Sequence, residues 1–537
     1  VATAAAACRR MTAAHAFTSL PDRVARHAAE RPAAPALVVG EQRLDYAAFD
    51  AQVDRCAAAL QRDGARPQQV VAICAATSAA YVALYLGALR AGLAVAPLPP
   101  SATPAQLAGM VADAEAGWCF VDAEVARALD AAGHPPPPGL RRIRLDDSAG
   151  VGASASDGDL GPWLAGAPAR PQPVATAPGW AFNIIYSSGT TGTPKGIVQS
   201  HAMREMHIQR ALISGYAADT VALLSTPLYS NTTLVSLLPT LAWGGCAVLM
   251  PRFDALAYLQ LAERHRATHS MLVPVQYQRL MAHPEFERFD LRSFRTKQCT
   301  SAPFHAALKA RVLARWPGGL VEVYGMTEGG GTTVLQAHLH PTKLHTVGHP
   351  VEGHDIRLID EDGRELPVQR GTESPLGEVV GRSPGMMTGY HRQPAKTAEA
   401  EWFDADGQRY IRTGDVGRFD ADGFLVLGDR RKDMVISGGF NIYPSDLEAV
   451  LRQHPAVADA AVFGIPSAEW GETPVAAVVP RAGHEAPDAE ALRAWVNAQV
   501  GKTQRLSALR WVDELPRSAI GKVLKRELRD GWAATPA

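Results

Sequence analysis

The sequence lacks the features that mark secreted, membrane-spanning, metal-binding and nucleic-acid-binding proteins. Its six cysteines, at positions 8, 56, 74, 119, 246 and 299, form no Cys-x-x-Cys pair and no His/Cys ligand pattern, which argues against a disulfide scaffold or a metal centre. The formal net charge is −1, so there is no basic excess for nucleic acid or for a membrane surface. The longest apolar helix candidate, Ala79 to Leu89, is too short to cross a bilayer. We therefore expect a cytoplasmic location, no nucleic-acid partner and no stable membrane anchor.

What the sequence does have is length and apolar residues. The chain has 537 residues, 47% of them hydrophobic, which is enough for more than one domain with a large core. The first ten residues place two arginines after a short apolar stretch, which is the wrong order for a secretory signal. We expect residues 1–15 to be a disordered leader.

The order of strand and helix patterns predicts an α/β fold. Buried strands at Val70 to Cys74 and Ala94 to Leu98 flank an apolar helix from Ala79 to Ala91, and residues 201–323 repeat this alternation. Short strands with Asp-Gly turns follow between Asp355 and Phe424. Helices and strands then alternate over the last hundred or so residues. Two Pro/Gly/Ala/Ser-rich stretches, 133–139 and 149–178, are predicted to be surface connections.

These patterns predict a large N-terminal domain and a small C-terminal one. The first, 16–430, would contain two βα-layered sheets and a β-barrel-like subdomain. The second, 431–537, would be a small, mobile α+β domain.

One loop has a composition suited to phosphate. Tyr186 to Gly196 reads Tyr-Ser-Ser-Gly-Thr-Thr-Gly-Thr-Pro-Lys-Gly and follows an apolar strand candidate, Trp180 to Ile185. Small residues let backbone N–H groups approach a ligand, and the hydroxyls and Lys195 add donors and one positive charge. The loop is not a Walker A motif, because Lys195 lies between Pro194 and Gly196. A flexible linker remains the alternative reading of the composition alone.

Three further blocks carry candidate chemical groups. Tyr324-Gly-Met-Thr-Glu-Gly329 follows a predicted strand and is either a helix-cap or turn sequence or a place for Glu328 to hold Mg²⁺ against ATP. Asp415 in Thr413-Gly-Asp415 is either a plain turn residue or a carboxylate for ribose hydroxyls. Ser437 to Pro444 contains adjacent glycines beside which a thin acyl arm would fit, or it is a turn before a helix capped by Ser445.

Together with Leu515-Pro-Arg-Ser-Ala-Ile-Gly-Lys522, these blocks resemble the signatures of the adenylate-forming superfamily, in that family's order. The resemblance is to the acyl- and aryl-CoA ligases and extends from about residue 16 onward. It implies ATP, Mg²⁺ and coenzyme A as cofactors. It also implies roles for matching residues: catalysis by Lys522, Glu328 (on Mg²⁺) and Thr327, a hinge at Lys432, and a CoA tunnel at Ser437, Gly438, Gly439 and Asn441. The implied ATP or AMP contacts are Ser187, Ser188, Gly189, Thr190, Thr191, Gly192, Thr193, Lys195, Ser301, Ala302, Pro303, Tyr324, Gly325, Met326, Thr327, Asp415 and Arg430.

Two blocks depart from the family pattern near the acid pocket. Pro227-Leu-Tyr-Ser-Asn-Thr232 has Ser230 where the family usually has His, and Cys299-Thr-Ser-Ala-Pro303 replaces the commoner Ser-Gly-Ala-Ala-Pro. Tyr277 and Gln276 fit a helix surface as well as a pocket. The acid-pocket candidates by resemblance are His207, Tyr229, Ser230, Asn231, Gln276, Tyr277, Gly325 and 329–331, with Gly330 central among the glycines.

The resemblance implies an acid–CoA ligase that forms acyl-AMP and pyrophosphate and then the CoA thioester. We expect an aromatic or medium-chain acid, and a monomer or homodimer. The alternatives are a long-chain fatty acid–CoA ligase and a ligase that loads a separate carrier protein. A nucleotide-binding scaffold without catalysis is a third class, which the joint presence of Lys522, Glu328, Asp415 and Arg430 disfavours.

Overall fold

A computed structural model describes residues 17–133, 137–145, 157–187, 195–430, 433–437, 440–467, 470–501, 504–518 and 521–534. Its contacts divide the chain into two compact units, each described here by itself. The large unit comprises 1–344, 351–354 and 382–401, and the small unit comprises 345–350, 355–381 and 402–537. The predicted boundary after residue 430 stays a prediction, and the predicted hinge Lys432 lies outside the described residues.

The first sheet of the large unit is mostly parallel. Its strands run in the order β15-β14-β13-β12-β10-β11-β1-β2, and only the β1–β2 and β14–β15 pairs are antiparallel. Continuous apolar runs such as Cys246–Leu249 suit strands buried on both faces. The strands are β1 (Pro35–Val39), β2 (Gln42–Asp45), β10 (Val221–Leu224), β11 (Cys246–Leu249), β12 (His269–Leu272), β13 (Thr296–Cys299), β14 (Gly319–Gly325) and β15 (Thr332–Gln336).

The second sheet of the large unit carries the predicted phosphate loop. Its order is β19-β9-β8-β4-β3-β5-β6-β7, parallel except at the β19–β9 and β8–β9 pairs. Its strands are β3 (Val70–Cys74), β4 (Ala94–Pro97), β5 (Ala116–Val121), β6 (Arg141–Arg144), β7 (Asp157–Asp159), β8 (Ala181–Ser187), β9 (Lys195–Ser200) and β19 (Gly389–Tyr390).

Helices fill the space between and around these sheets. One core cluster joins Leu37 and Leu249 of the first sheet with Val71 and Phe182 of the second through apolar helix faces. Twelve α-helices lie in the described part of the large unit: α1 (Leu20–Glu30), α2 (Tyr46–Arg62), α3 (Ala79–Arg90), α4 (Pro104–Asp113), α5 (Ala123–Ala131), α6 (Leu160–Ala165), α7 (His201–Arg210), α8 (Asn231–Ala242), α9 (Ala255–Arg264), α10 (Pro274–Ala282), α11 (Ala306–Arg315) and α12 (Pro394–Glu399).

The small unit contains two five-stranded sheets. One has the order β17-β18-β21-β20 with β22 on β21, and the other has the order β24-β23-β26-β25 with β27 on β26. The second packs against helices around Leu447, Val462 and Val496. The elements are β16 (His349–Pro350), β17 (Asp355–Ile359), β18 (Gly377–Arg382), β20 (Glu401–Phe403), β21 (Arg409–Phe419), β22 (Leu425–Arg430), β23 (Val435–Ser437), β24 (Phe440–Ile442), α13 (Pro444–Leu451), β25 (Val457–Ser467), β26 (Gly471–Pro480), α14 (Ala489–Asn497), β27 (Ala508–Trp511) and α15 (Lys525–Ala534).

The predicted mixed α/β fold with several sheets and a C-terminal α+β unit is confirmed, with local corrections. Part of the stretch 149–178 is not a plain connection, because it contains β7 and α6. Helix α10 was not predicted. Within the supposed meander 355–424, residues 382–401 belong to the large unit. Helix α13 begins at Pro444 after Tyr443, so Ser445 is not its cap.

Among the described residues, none of the helices combines the length and the apolar character needed to cross a membrane.

A buried ion pair lies beneath the first sheet. Lys309 on α11 binds Glu322 on β14, and both side chains are almost completely buried. Lys309 also donates to the carbonyl of Leu344 at 2.7 Å. Burial raises the pKa of Glu322 to about 7, while Lys309 acts in the opposite direction. Each charge of the pair is therefore shielded from water and depends on the other for stabilisation.

We predict that Lys309→Met destabilises the protein by about 3–5 kcal/mol, because Glu322 would lose its buried counter-charge. Adding Glu322→Leu to that variant should restore part of the loss. The thermal midpoint of unfolding measures both effects. Arg292→Met, which removes an exposed arginine beside Asp290, is the control and should leave the midpoint unchanged. Equal loss in the single and double variants would contradict the account.

Candidate nucleotide and acid site

The predicted phosphate loop is the turn of an antiparallel hairpin. Strands β8 and β9 pair with Tyr186 opposite Gly196 and Ser187 opposite Lys195. Ile184 and Ile185 face opposite sides of the sheet and pack in separate core clusters, so a shift of register would disrupt the packing on both faces. The hairpin therefore brings both ends of the loop together. The loop residues Ser188, Gly189, Thr190, Thr191, Gly192 and Thr193 lie outside the described residues.

A short segment that sequence reasoning missed ties this hairpin to the Thr-Glu motif. Strand β19 pairs with β9, with Tyr390 opposite Ile197. The N–H of His391 donates to the carbonyl of Gly196 at 2.7 Å. At the other end of the segment, the N–H of Met387 donates to the carbonyl of Glu328 at 2.8 Å. Residues 387–391 thus link the predicted phosphate loop to Glu328 through the backbone.

Tyr390 joins the two charged candidates. Its hydroxyl donates to Oε1 of Glu328 at 3.0 Å, and Nζ of Lys195 lies 4.9 Å from the centroid of its ring. Burial raises the pKa of Tyr390 well above its usual range, and Glu328 raises it further. Tyr390 therefore stays a hydrogen-bond donor, and one aromatic ring holds a cation and a carboxylate beside the same loop.

Glu328 is a plausible partner for a magnesium ion by its donor chemistry. Mg²⁺ in phosphate-binding sites takes one or two carboxylates and completes its octahedron with phosphate and water. Glu328 supplies one such carboxylate, oriented by Tyr390. The described residues contain no cluster of three or more His, Cys, Asp or Glu that would form an all-protein metal cage.

A buried polar relay runs beneath the hairpin. Nε2 of Gln199 donates to the carbonyl of Thr327 at 2.6 Å, and Nδ2 of Asn183 donates to Oε1 of Gln199 at 3.0 Å. Arg204 then donates from Nε to Oδ1 of Asn183 at 2.9 Å. Asn183, Gln199 and Arg204 are all buried. The relay fixes the main chain at Thr327 relative to both strands of the hairpin.

Several pocket candidates converge on the side of α7 that carries Arg204. Asn231 accepts from Nη1 of Arg204 at 2.9 Å, and Nδ1 of His207 lies 3.5 Å from the same nitrogen. Gly325 lies opposite Thr332 in the β14–β15 pair, and Oγ1 of Thr332 accepts from Arg210 at 3.2 Å. His207 and Asn231 thus share Arg204 as a neighbour, and Gly325 lies opposite a residue bonded to Arg210; sequence reasoning selected neither arginine.

Other candidates have local structural contacts. Ser230 is the N-cap of α8 and accepts from the N–H of Thr232 at 3.2 Å. Gln276 accepts from the N–H of Val273 at 3.1 Å at the start of α10 and donates to Ser225. Tyr277 is fully buried. Tyr229 is half-buried, and burial raises its pKa. Their roles toward an acid remain predictions.

Glycine is required in the turn after Glu328. Gly329 has a φ of 77°, and a Cβ there would lie 2.1 Å from the carbonyl oxygen of Gly385. Gly331 has a φ of 87°. Gly330, the pocket candidate, is buried between them. The backbone therefore folds close to itself directly beside the Thr-Glu motif.

A strained residue marks the end of β13. Ser301 has a φ of 79°, a left-handed conformation that non-glycine residues rarely adopt. Its hydroxyl lies 2.6 Å from that of Thr232. Such strain is often found at ligand sites, which is consistent with a role for Ser301, Ala302 and Pro303.

The small unit brings together its own predicted pair. Thr413-Gly-Asp415 lies inside β21 rather than before a strand, and Asp415 is opposite Arg430 of β22. Lys522 lies in a tight hairpin in which its carbonyl accepts from the N–H of Ser518 at 2.8 Å. Strands β23 and β24, which flank the predicted tunnel glycines in the sequence, pair with Ile436 opposite Asn441. Gly438 and Gly439 themselves lie outside the described residues.

Comparison with known proteins defines the class. The family model described as "AMP-binding enzyme" matches residues 24–391, and the model "AMP-binding enzyme C-terminal domain" matches residues 446–522. The chain belongs to the AMP-binding enzyme family, and the predicted adenylate-forming superfamily is confirmed.

Relatives and solved structures agree over nearly the whole length. Feruloyl-CoA synthase of Amycolatopsis sp is 33% identical over 509 residues, covering 94% of this chain and 97% of that protein. Fatty acid–[acyl-carrier-protein] ligase ScoC of Streptomyces coeruleorubidus is 30% identical over 515 residues, covering 94% of each. ATP-bound MatB from Rhodopseudomonas palustris superposes with a TM-score of 0.82 at 28% identity, covering 96% of this chain and 99% of that one.

We predict that Tyr390→Phe raises KM for MgATP or lowers the adenylation rate by about 10- to 100-fold, the range for a lost hydrogen bond to a charged group. Pyrophosphate exchange at varied MgATP measures this loss. Tyr258→Phe, which removes a buried hydroxyl beside Ser270, is the control and should leave this rate unchanged. Parent-like exchange in Tyr390→Phe would show that the contact with Glu328 does not matter for ATP.

Proposed function

We propose that this protein is an ATP-dependent acid–CoA ligase. A carboxylate oxygen of the acid attacks the α-phosphorus of ATP and expels pyrophosphate, which gives acyl-AMP. The thiol of CoA, losing its proton, then attacks the acyl carbonyl and expels AMP. The proposal rests on one observation: Tyr390 contacts both Glu328 and Lys195, and Lys195 lies at the end of the predicted phosphate loop.

The adenylation step needs charge neutralisation and positioning. Lys195 is suited to the polyphosphate, Glu328 to its Mg²⁺, and Thr327 to the α-phosphate. Such groups act chiefly by holding the reactants in line and by stabilising charge that develops at phosphorus. In the small unit, the register pairing of Asp415 with Arg430 supports their assignment to the ribose, because the two residues lie side by side on neighbouring strands.

The choice of thiol rests on the relatives. The relative named feruloyl-CoA synthase supports CoA as the acceptor. Its name also agrees with the predicted enzyme class, an AMP-forming acid–thiol ligase. The ScoC relative is named for an acyl-carrier protein and keeps the second candidate open. Ser437 and the two glycines after it are the residues we assign to the passage of the pantetheine arm.

The acid is proposed to be aromatic or medium-chain. The relative named for feruloyl-CoA supports an aromatic acid. His207, Tyr229, Asn231 and Gly330 are the residues we assign to the pocket.

The first test is a product screen. Purified protein, MgATP and CoA are offered aromatic, short, medium and long-chain acids, and products are identified by mass spectrometry. An acyl-CoA supports the proposal and identifies the acid class. Acyl-AMP and pyrophosphate without a thioester would instead favour a carrier protein as the acceptor, which adding a purified acyl-carrier protein would then check.

We predict that Lys522→Ala depresses the adenylation half-reaction by about 10²- to 10³-fold, the range for a lost transition-state charge contact. Thioester formation from premade acyl-AMP should fall much less. Lys525→Ala, which removes a nearby lysine paired with Glu448, is the matched control and should affect neither half-reaction. Equal losses in both half-reactions of Lys522→Ala would contradict its assignment to adenylation.

A further inference from the structure

Helix α7 carries two arginines, Arg204 and Arg210, with His207 between them. Arg204, His207 and Arg210 are spaced three residues apart, so neighbouring members lie close together along the helix. His354 faces the same group, since it affects the pKa of His207 and is itself affected by Arg210. The cluster, which we call the α7 basic cluster, therefore consists of Arg204, His207, Arg210 and His354.

Arg204 is buried with only neutral partners. It is 1% exposed, and its guanidinium bonds to the side-chain oxygens of Asn183 and Asn231, with His207 at 3.5 Å. Its Nη2 atom is buried and has no hydrogen-bond partner. An unsatisfied donor on a buried cation is costly, since such groups are normally paired.

Arg210 is partly buried and likewise lacks a carboxylate. Its hydrogen bond goes to the hydroxyl of Thr332. Burial lowers the pKa of both Arg204 and Arg210 to about 10, so both remain charged at neutral pH.

The histidines of the cluster do not supply an opposite charge. Burial and the nearby arginines hold the pKa of His207 well below its usual range. Burial, with a smaller contribution from Arg210, lowers the pKa of His354 to about 4. Both imidazoles are therefore neutral at physiological pH.

Two other largely buried cations of the large unit are paired with carboxylates, whereas the buried Lys297 donates to three backbone carbonyls. Arg90 binds Asp50 at 2.6 Å and Asp54 at 2.7 Å, and Lys309 binds Glu322. Glu205, the acidic residue of α7 itself, binds Arg23 at 2.6 Å. Within the described part of the chain, no carboxylate contacts Arg204 or Arg210. Because the buried Nη2 of Arg204 has neither a carboxylate nor a carbonyl as a partner, we expect a ligand to supply one.

We propose that the α7 basic cluster binds a second carboxylate of the acid substrate, so that the enzyme activates a dicarboxylic acid. The inference rests on the proposed function and deepens it by naming the substrate class. Arg204 and Arg210 each donate to the distal carboxylate, while the other carboxylate is adenylated.

The relay beneath the hairpin separates the cluster from the reacting end. Three successive hydrogen bonds, through the side chains of Asn183 and Gln199, lie between Arg204 and the carbonyl of Thr327. A carboxylate at the α-phosphate would lie at the Thr327 end of this relay. The free Nη2 of Arg204, at the other end, is therefore placed for a different group of the same molecule.

The test compares matched acids. Straight-chain dicarboxylic acids of increasing length are each paired with the monocarboxylic acid of the same length, and terephthalate is paired with 4-methylbenzoate. We expect kcat/KM for at least one dicarboxylate to exceed that of its partner by about tenfold or more, the lower range for a hydrogen bond between charged groups. A preference for the monocarboxylate in every pair would overturn the proposal.

Variants locate the effect. Arg210→Met, at a partly exposed position, and Arg204→Met should each lower the ratio of dicarboxylate to monocarboxylate kcat/KM by about tenfold or more. Arg23→Met, which removes an arginine bound to the other side of α7, should leave the ratio unchanged. An unchanged ratio in Arg210→Met would overturn the proposal even if Arg204→Met failed to fold.

A binding measurement separates this inference from the proposed function. If the parent forms no adenylate or thioester from any acid, the proposed function fails. The thermal midpoint with each acid and MgATP then still tests the cluster. A rise with dicarboxylates that Arg210→Met abolishes supports the second-carboxylate site, and equal rises with both members of every pair would overturn it.

Discussion

The antiparallel pairing of β8 with β9 is the constraint on which the nucleotide site depends. The pairing places Lys195 opposite Ser187 and so fixes both ends of the phosphate loop. Because Ile184 and Ile185 of β8 pack in core clusters on opposite faces of the sheet, a shift of register would disrupt the packing of both. Strand β19 then adds Tyr390 to the free edge of β9 and brings Glu328 into the same cluster. A loop rich in small residues is thus anchored on a rigid base.

A second, buried layer connects this base to residues predicted to line the acid pocket. Asn183 of β8 and Gln199 of β9 are hydrogen-bonded to each other beneath the hairpin. Asn183 also accepts from Arg204, and Gln199 also donates to the carbonyl of Thr327. Such polar networks in a low-dielectric interior specify one arrangement strongly, because each broken bond leaves a buried group unsatisfied. The positions of Arg204 and of the Thr-Glu motif are therefore set by the same hydrogen bonds.

Strands and helices could be predicted where a short stretch of sequence contains the whole signal for them. Val70 to Cys74 has the predicted bounds, because a continuous apolar run is a local strand signal. Ala508 to Trp511 also has the predicted bounds, although Arg510 interrupts its apolar residues. Helix α10 follows β12 after one residue, so the two apolar patterns merge and hide the boundary. Strand β19 has only two residues, and its pairing with β9 joins positions almost two hundred residues apart. No local pattern contains that contact, and Tyr390 was missed with it.

The same reasoning explains why the arginines of α7 were overlooked, and it shows what they contribute. An arginine in a polar helix is usually a solvated surface charge, and only the packing of α7 reveals that Arg204 is 1% exposed. A buried guanidinium with neutral partners discriminates in two ways. It attracts an anionic group, and it also penalises an apolar one, which would cover the cation without satisfying Nη2. Because the second effect needs no new favourable contact, the selectivity that we propose for Arg204 depends on its unpaired Nη2 as well as on the group that it binds.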